Sequence, residues 1–159
     1  MLSRGIAIFV TAACATATFV HADGAHAKWA RHNAHDCTTD DAYSGWGNTI
    51  DNNGPYNIDV SCALDDDYLY TKQEIETLNV HVHDGPGYAS TYARVCVTYY
   101  DVLGGSCDNW AATPGNSSGN YTLQPPLGAL QIVGAAGDFG YLRVLLPSGS
   151  ELKGYYTHD

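Results

Sequence analysis

The chain is 159 residues long, carries 17 Asp and Glu against 7 Lys and Arg, and has a formal net charge of −10. That length fits one domain and allows a buried core of useful size, roughly 65–70% of the unfolded surface, so neither a metal nor cross-links are required merely to fold. The acidic balance excludes nucleic acid and anionic lipid as natural partners and favours solubility.

Arg4 precedes an apolar run over residues 5–20, and Val20-His21-Ala22 offers small residues at cleavage positions. This pattern predicts a cleaved secretory signal peptide over residues 1–22, too short and too rich in Ala and Thr for a membrane span. Ala25-His26-Ala27 is a second possible cut, and Cys14 would be the lipid-bearing residue if the chain were instead anchored. Secretion or a periplasmic location follows, with no second apolar segment to form a membrane span. Residues 23–35 are small, polar and weakly patterned, and read as a flexible arm before a domain spanning residues 36–159.

Turn-forming residues fill 48–56, and residues 57–62 then alternate, with Ile58, Val60 and Cys62 on one face. A short edge strand is expected over 68–70, after the acidic corner Asp65-Asp66-Asp67. Residues 77–84 alternate again, Leu78, Val80 and Val82 pointing one way and His81 and His83 the other. Asp84-Gly85-Pro86-Gly87 is a turn, and residues 93–102 return as a β-branched, aromatic strand. A polar loop over 110–119 leads to a strand at 120–123 that Pro125-Pro126 must stop. Further strands are expected at 129–133, 140–146 and 151–157. Seven or eight short strands without helical periodicity predict a single all-β, antiparallel β-sandwich, and argue against most α/β enzyme folds.

Four cysteines lie beyond the leader, and export makes two disulfides the default. Cys96 and Cys107 flank a hairpin, and Cys37 and Cys62 flank the first loop and strand, so the expected pairs are Cys37 with Cys62 and Cys96 with Cys107. Each loop closure contributes on the order of 3 kcal/mol through the unfolded chain.

Four stretches invite a chemical reading. Gly115-Asn116-Ser117-Ser118-Gly119 matches the G-x-S-x-G nucleophile elbow, but Thr113-Pro114 precedes it and Tyr121-Thr122-Leu123 follows, where an elbow needs a strand and then a helix. The same region holds the sequons Asn116-Ser117-Ser118 and Asn120-Tyr121-Thr122. His81-Val82-His83 presents two imidazoles on one strand face, the spacing of a paired metal ligand, yet no sequence-local group completes the set, and the competing reading is a solvent-facing pair. Candidates for completing it sit at His32-Asn33-Ala34-His35-Asp36. Asp51-Asn52-Asn53-Gly54 resembles the middle of a calcium loop but lacks the first and last ligands of an EF-hand.

The aromatic content is 12 Tyr and 3 Trp against 3 Phe and 1 Met. Amphipathic rings beside Asn, Asp and Gly suit a platform for sugar rings or another protein. Trp46 and Trp110, both expected in loops, are the platform candidates, while Tyr92, Tyr99, Tyr100, Tyr155 and Tyr156 read as core or cross-strand partners.

Asp36-Cys37-Thr38, Tyr56-Asn57, Ser61-Cys62, the 80–84 strand, Val95-Cys96, Leu146-Pro147 and Gly154-Tyr155-Tyr156 resemble a loose group of small exported bacterial proteins of unassigned function. The resemblance implies an extracytoplasmic β-sandwich and brings no catalytic residues. Cys62-Ala63 stands where the group often has Cys-Pro, and Val97 and Val144 stand in place of a further cysteine pair. The resulting expectation is a secreted, disulfide-stabilised domain without cofactor or enzymatic activity. Its role would be binding or structural outside the cytoplasm, with a carbohydrate-binding module and a metal-binding protein as alternatives.

Overall fold

The computed structural model describes residues 29–39, 48–64, 74–87, 89–99, 104–116, 118–132 and 139–158. The leader with Cys14, Trp46, the acidic corner at 65–67, the strand expected at 68–70, Tyr100 and Ser117 lie outside the described residues.

Two antiparallel sheets pack face to face, as the alternation of apolar residues requires. The strands are β1 (Trp29–Asn33), β2 (Cys37–Thr39), β3 (Ile50–Asp51), β4 (Ile58–Ala63), β5 (Thr77–Asp84), β6 (Tyr92–Thr98), β7 (Gly105–Cys107), β8 (Ala111–Ala112), β9 (Gly119–Leu123), β10 (Phe139–Leu146) and β11 (Glu151–His158). One sheet runs β1-β11-β5-β9 with β3 added beside β11, and the other runs β2-β4-β10-β6-β7 with β8 added beside β6. The seven strands of five residues or more carry the expected β-sandwich, and two- and three-residue ladders complete it.

The core lies between the sheets. Val60, Val95, Leu142 and Val144 from one sheet meet Leu78, Val80, Val82 and Leu152 from the other, all essentially inaccessible to solvent. Tyr155 also points inward, 3% exposed. Its hydroxyl donates to the carbonyl of Ala63 at 2.7 Å, which satisfies the buried phenol and ties the two sheets together.

Both disulfides form between directly opposed residues of neighbouring strands. Cys37 faces Cys62 across β2 and β4, and Cys96 faces Cys107 across β6 and β7. Their Cα atoms are 4.1 and 4.0 Å apart.

Two local expectations differ from the structure. Residues 29–33, inside the expected arm, form β1 and pair with β11 from Trp29 opposite His158 to Asn33 opposite Gly154. Ala, His, Arg and Asn are weak strand formers, so the ladder to β11 and the stack of His32 on Tyr155 supply what local preference does not. The strand expected over 129–133 is instead the short helix α1 (Gly128–Ile132), which packs on β6 and buries Leu127, Ala129 and Leu130. A short apolar run does not distinguish the two states by periodicity, and Ala, Leu and Gln favour the helix. Asp108 then settles the start by accepting the Ala129 N–H at 2.8 Å.

β11 bends where its register to β5 shifts between Leu152 and Gly154. Gly154 has φ +136°, and a Cβ there would stand 2.5 Å from the carbonyl oxygen of His32, so only glycine lets β1 approach.

Candidate functional site

Trp110 is held on the outer face of the six-stranded sheet by the chain on either side of it. The Asp108 N–H donates to the Val95 carbonyl at 2.8 Å, and Ala111 pairs with Ala93. These two anchors bring the intervening indole over Arg94, whose guanidinium carbon is 4.2 Å from the ring centroid. Tyr92 meets the same ring edge-on at 6.1 Å, and the Arg143 guanidinium lies 5.9 Å away. The indole remains 38% exposed, so it is an oriented aromatic surface rather than a core residue.

The charges beneath it are balanced in an uneven way. Arg94 and Arg143 stand directly opposite each other on β6 and β10, an unfavourable pairing of like charges. Asp59 on β4 neutralises Arg143 through both carboxylate oxygens, with Nε at 3.0 and 2.7 Å and Nη2 closer still to Oδ2. Arg94 has the indole face as its counterpart, a cation–π contact worth about 0.5–2 kcal/mol. Its Nε is buried with no hydrogen-bond acceptor, at a cost of roughly 1–3 kcal/mol. A depression of about 260 Å³ lies beside this ladder, lined by Thr38, Asp59, Ser61, Tyr141 and Arg143. The face thus brings a fixed ring, two guanidinium groups, a carboxylate and hydroxyls together.

The second platform candidate, Trp46, lies outside the described residues. His81 and His83 do share the outer face of the five-stranded sheet, both half-buried. Their ring nitrogens are engaged by neighbours on β9: His81 Nδ1 with Thr122 Oγ1 and His83 Nδ1 with Asn120 Oδ1, each at 3.1 Å. Among the described residues no three His, Cys, Asp or Glu side chains gather as a metal site.

Asp84, next to the histidine pair in sequence, points the opposite way and is 1% exposed. Its carboxylate accepts from Thr91 Oγ1 at 2.9 Å, Ser150 Oγ at 3.0 Å and Thr113 Oγ1 at 2.5 Å. It joins the end of β5 to three loops and is a structural node that strand alternation alone did not reveal. Asn52 plays a similar part where a calcium loop was considered. Its amide donates to the carbonyls of Tyr56 and Leu146 at 2.7 Å and its oxygen accepts the Gly54 N–H at 3.0 Å, so that side chain is committed to backbone. After the G-x-S-x-G stretch the chain enters β9 rather than a helix, which removes the structural setting of a nucleophile elbow.

No helix among the described residues is long and apolar enough to cross a membrane. Compared with known proteins, the chain matches no family model and no curated sequence.

Proposed function

We propose that this is an extracytoplasmic, non-enzymatic binding domain whose ligand is a glycan seated on Trp110. The observation that carries the reading is the indole itself, exposed yet fixed over Arg94 and flanked by Tyr92. A ring already oriented in the free protein loses little entropy when a sugar stacks on it. Asp59, Ser61 and Arg143 beside it supply directional partners for hydroxyl groups. The unsatisfied Arg94 Nε supports the same conclusion, because a cation kept under an aromatic ring at a cost to stability fits a face retained for binding. The leader pattern and the two disulfides fit an oxidising compartment outside the cytoplasm.

A glycan array probed with the domain tests the proposal. Binding to a defined set of oligosaccharides, lost in Trp110→Ala and retained in Trp110→Phe at reduced strength, is the expected result. A blank array, or one unchanged by Trp110→Ala, would sink it.

A further inference from the structure

The charges on the outer face of the six-stranded sheet leave Arg94 without an anion. Arg94 on β6, Arg143 on β10, and Asp59 and Ser61 on β4 all point outward, because the residues that alternate with them are buried in the core. The sheet order β4-β10-β6 puts Arg143 between Asp59 and Arg94. Both oxygens of Asp59 are taken by Arg143, and Arg94 lies two strand spacings, roughly 9–10 Å, from the strand that carries that carboxylate. No carboxylate among the described residues is within ion-pair distance of Arg94, whose guanidinium meets the Trp110 ring instead.

The guanidinium is open at one end only. Nε is buried, whereas Nη1 and Nη2, likewise without a protein acceptor, are not. An acceptor from solution therefore meets the two terminal nitrogens end-on, and their parallel N–H bonds match the two oxygens of a carboxylate. A sugar hydroxyl would take one donor and leave the opposition of Arg94 to Arg143 as it stands. The neighbouring depression has a different character. There Asp59 and Arg143 neutralise each other beside the hydroxyls of Thr38, Ser61 and Tyr141, a lining that suits uncharged hydroxyl groups. The net charge of −10 also repels a polyanion.

We propose that the glycan carries a single carboxylate, as in one uronic acid unit beside neutral sugars, and that Arg94 pairs with it, an assignment that rests on Trp110 being the glycan surface. A sugar ring stacks on the indole, the acid beside it takes Nη1 and Nη2, and the depression receives hydroxyls.

The test is a glycan array followed by calorimetric titration of the whole disulfide-bonded protein. The probes are oligosaccharides with one glucuronic or galacturonic acid unit, their methyl esters, and the neutral counterparts with glucose or galactose in that place. At least one acid is expected to bind about tenfold more tightly than its ester and its neutral counterpart. In low salt that ratio should be several-fold larger than at about 150 mM. It should fall to about one in Arg94→Gln and persist in part in Arg94→Lys, because a charged hydrogen bond remains. The ester comparison needs no variant and holds even where Arg94→Gln fails to fold. Esters or neutral sugars that bind as tightly as the acids, with binding lost in Trp110→Ala, would overturn the carboxylate and leave the glycan surface standing. An acid preference that survives Arg94→Gln would overturn the role of Arg94. An array blank for acidic and neutral glycans alike would overturn the glycan surface, and this assignment with it.

Discussion

Asp84→Ala is the perturbation that probes the fold most sharply. The carboxylate is 1% exposed and accepts three hydroxyl donors, from Thr91, Thr113 and Ser150, at 2.5–3.0 Å. A hydrogen bond to a charged group contributes about 1.5–3 kcal/mol, so the three together have a gross value of about 4.5–9 kcal/mol. Removing the carboxylate also removes its desolvation penalty, several kcal/mol for a buried ion, which offsets part of that sum. A net loss of about 3–4 kcal/mol is expected, because three buried hydroxyls are left without their acceptor. For a domain of this size that corresponds to a fall in Tm of about 10–15 °C, read by differential scanning calorimetry with urea unfolding as a check. Thr91 is the cleanest second site, since the Thr113 and Ser150 hydroxyls also accept backbone N–H groups, from Thr91 and Gly85. In a double-mutant cycle, Thr91→Val should cost about 1–2 kcal/mol in the wild-type protein and close to nothing beside Asp84→Ala. A loss below about 1 kcal/mol for Asp84→Ala, or additive effects in the cycle, would refute the node.

Other expectations follow from the same geometry. Replacing Cys37 and Cys62 by Ser should destabilise the domain by about 3.5 kcal/mol, and replacing Cys96 and Cys107 by about 2.8 kcal/mol, from loops of 25 and 11 residues; equal or reversed losses in urea unfolding would contradict this ordering. Gly154→Ala should release β1 from β11, because the added Cβ meets the His32 carbonyl; amide exchange at Arg31 and Asn33 should accelerate, and unchanged protection would show the approach is not limiting. Tyr155→Phe removes the hydroxyl's bond to the Ala63 carbonyl and should cost about 1 kcal/mol with the fold retained, measured by the shift in urea midpoint.

Legibility in the sequence followed the strength of the local pattern. β5 was expected over 77–84 and forms over Thr77–Asp84, because its alternation is strict and its end is marked by a turn. The cysteine pairs were readable because each flanks a connection that returns the chain antiparallel beside itself. β1 was not readable: its pairing with β11 joins residues at the two ends of the sequence, and no periodicity marks an edge strand of Ala, Arg, His and Asn. The helix at Gly128–Ile132 depended on Asp108, a capping partner from a distant loop. Trp110 was legible as a loop aromatic, but its neighbours were not. Arg94 and Arg143 meet it, and Asp59 meets Arg143, only through the register of β4, β10 and β6, which a single strand does not encode.

The central claim is that Trp110 is a binding surface and not a packing residue. Its most direct test is a ¹⁵N-resolved NMR titration with the strongest oligosaccharide from the array, following the Trp110 indole N–H and the Arg94 Nε–H, each assigned by its disappearance in Trp110→Phe or Arg94→Lys. The account predicts saturable shifts at both signals, larger than those of residues on the opposite sheet. Binding that leaves both signals in place would contradict it.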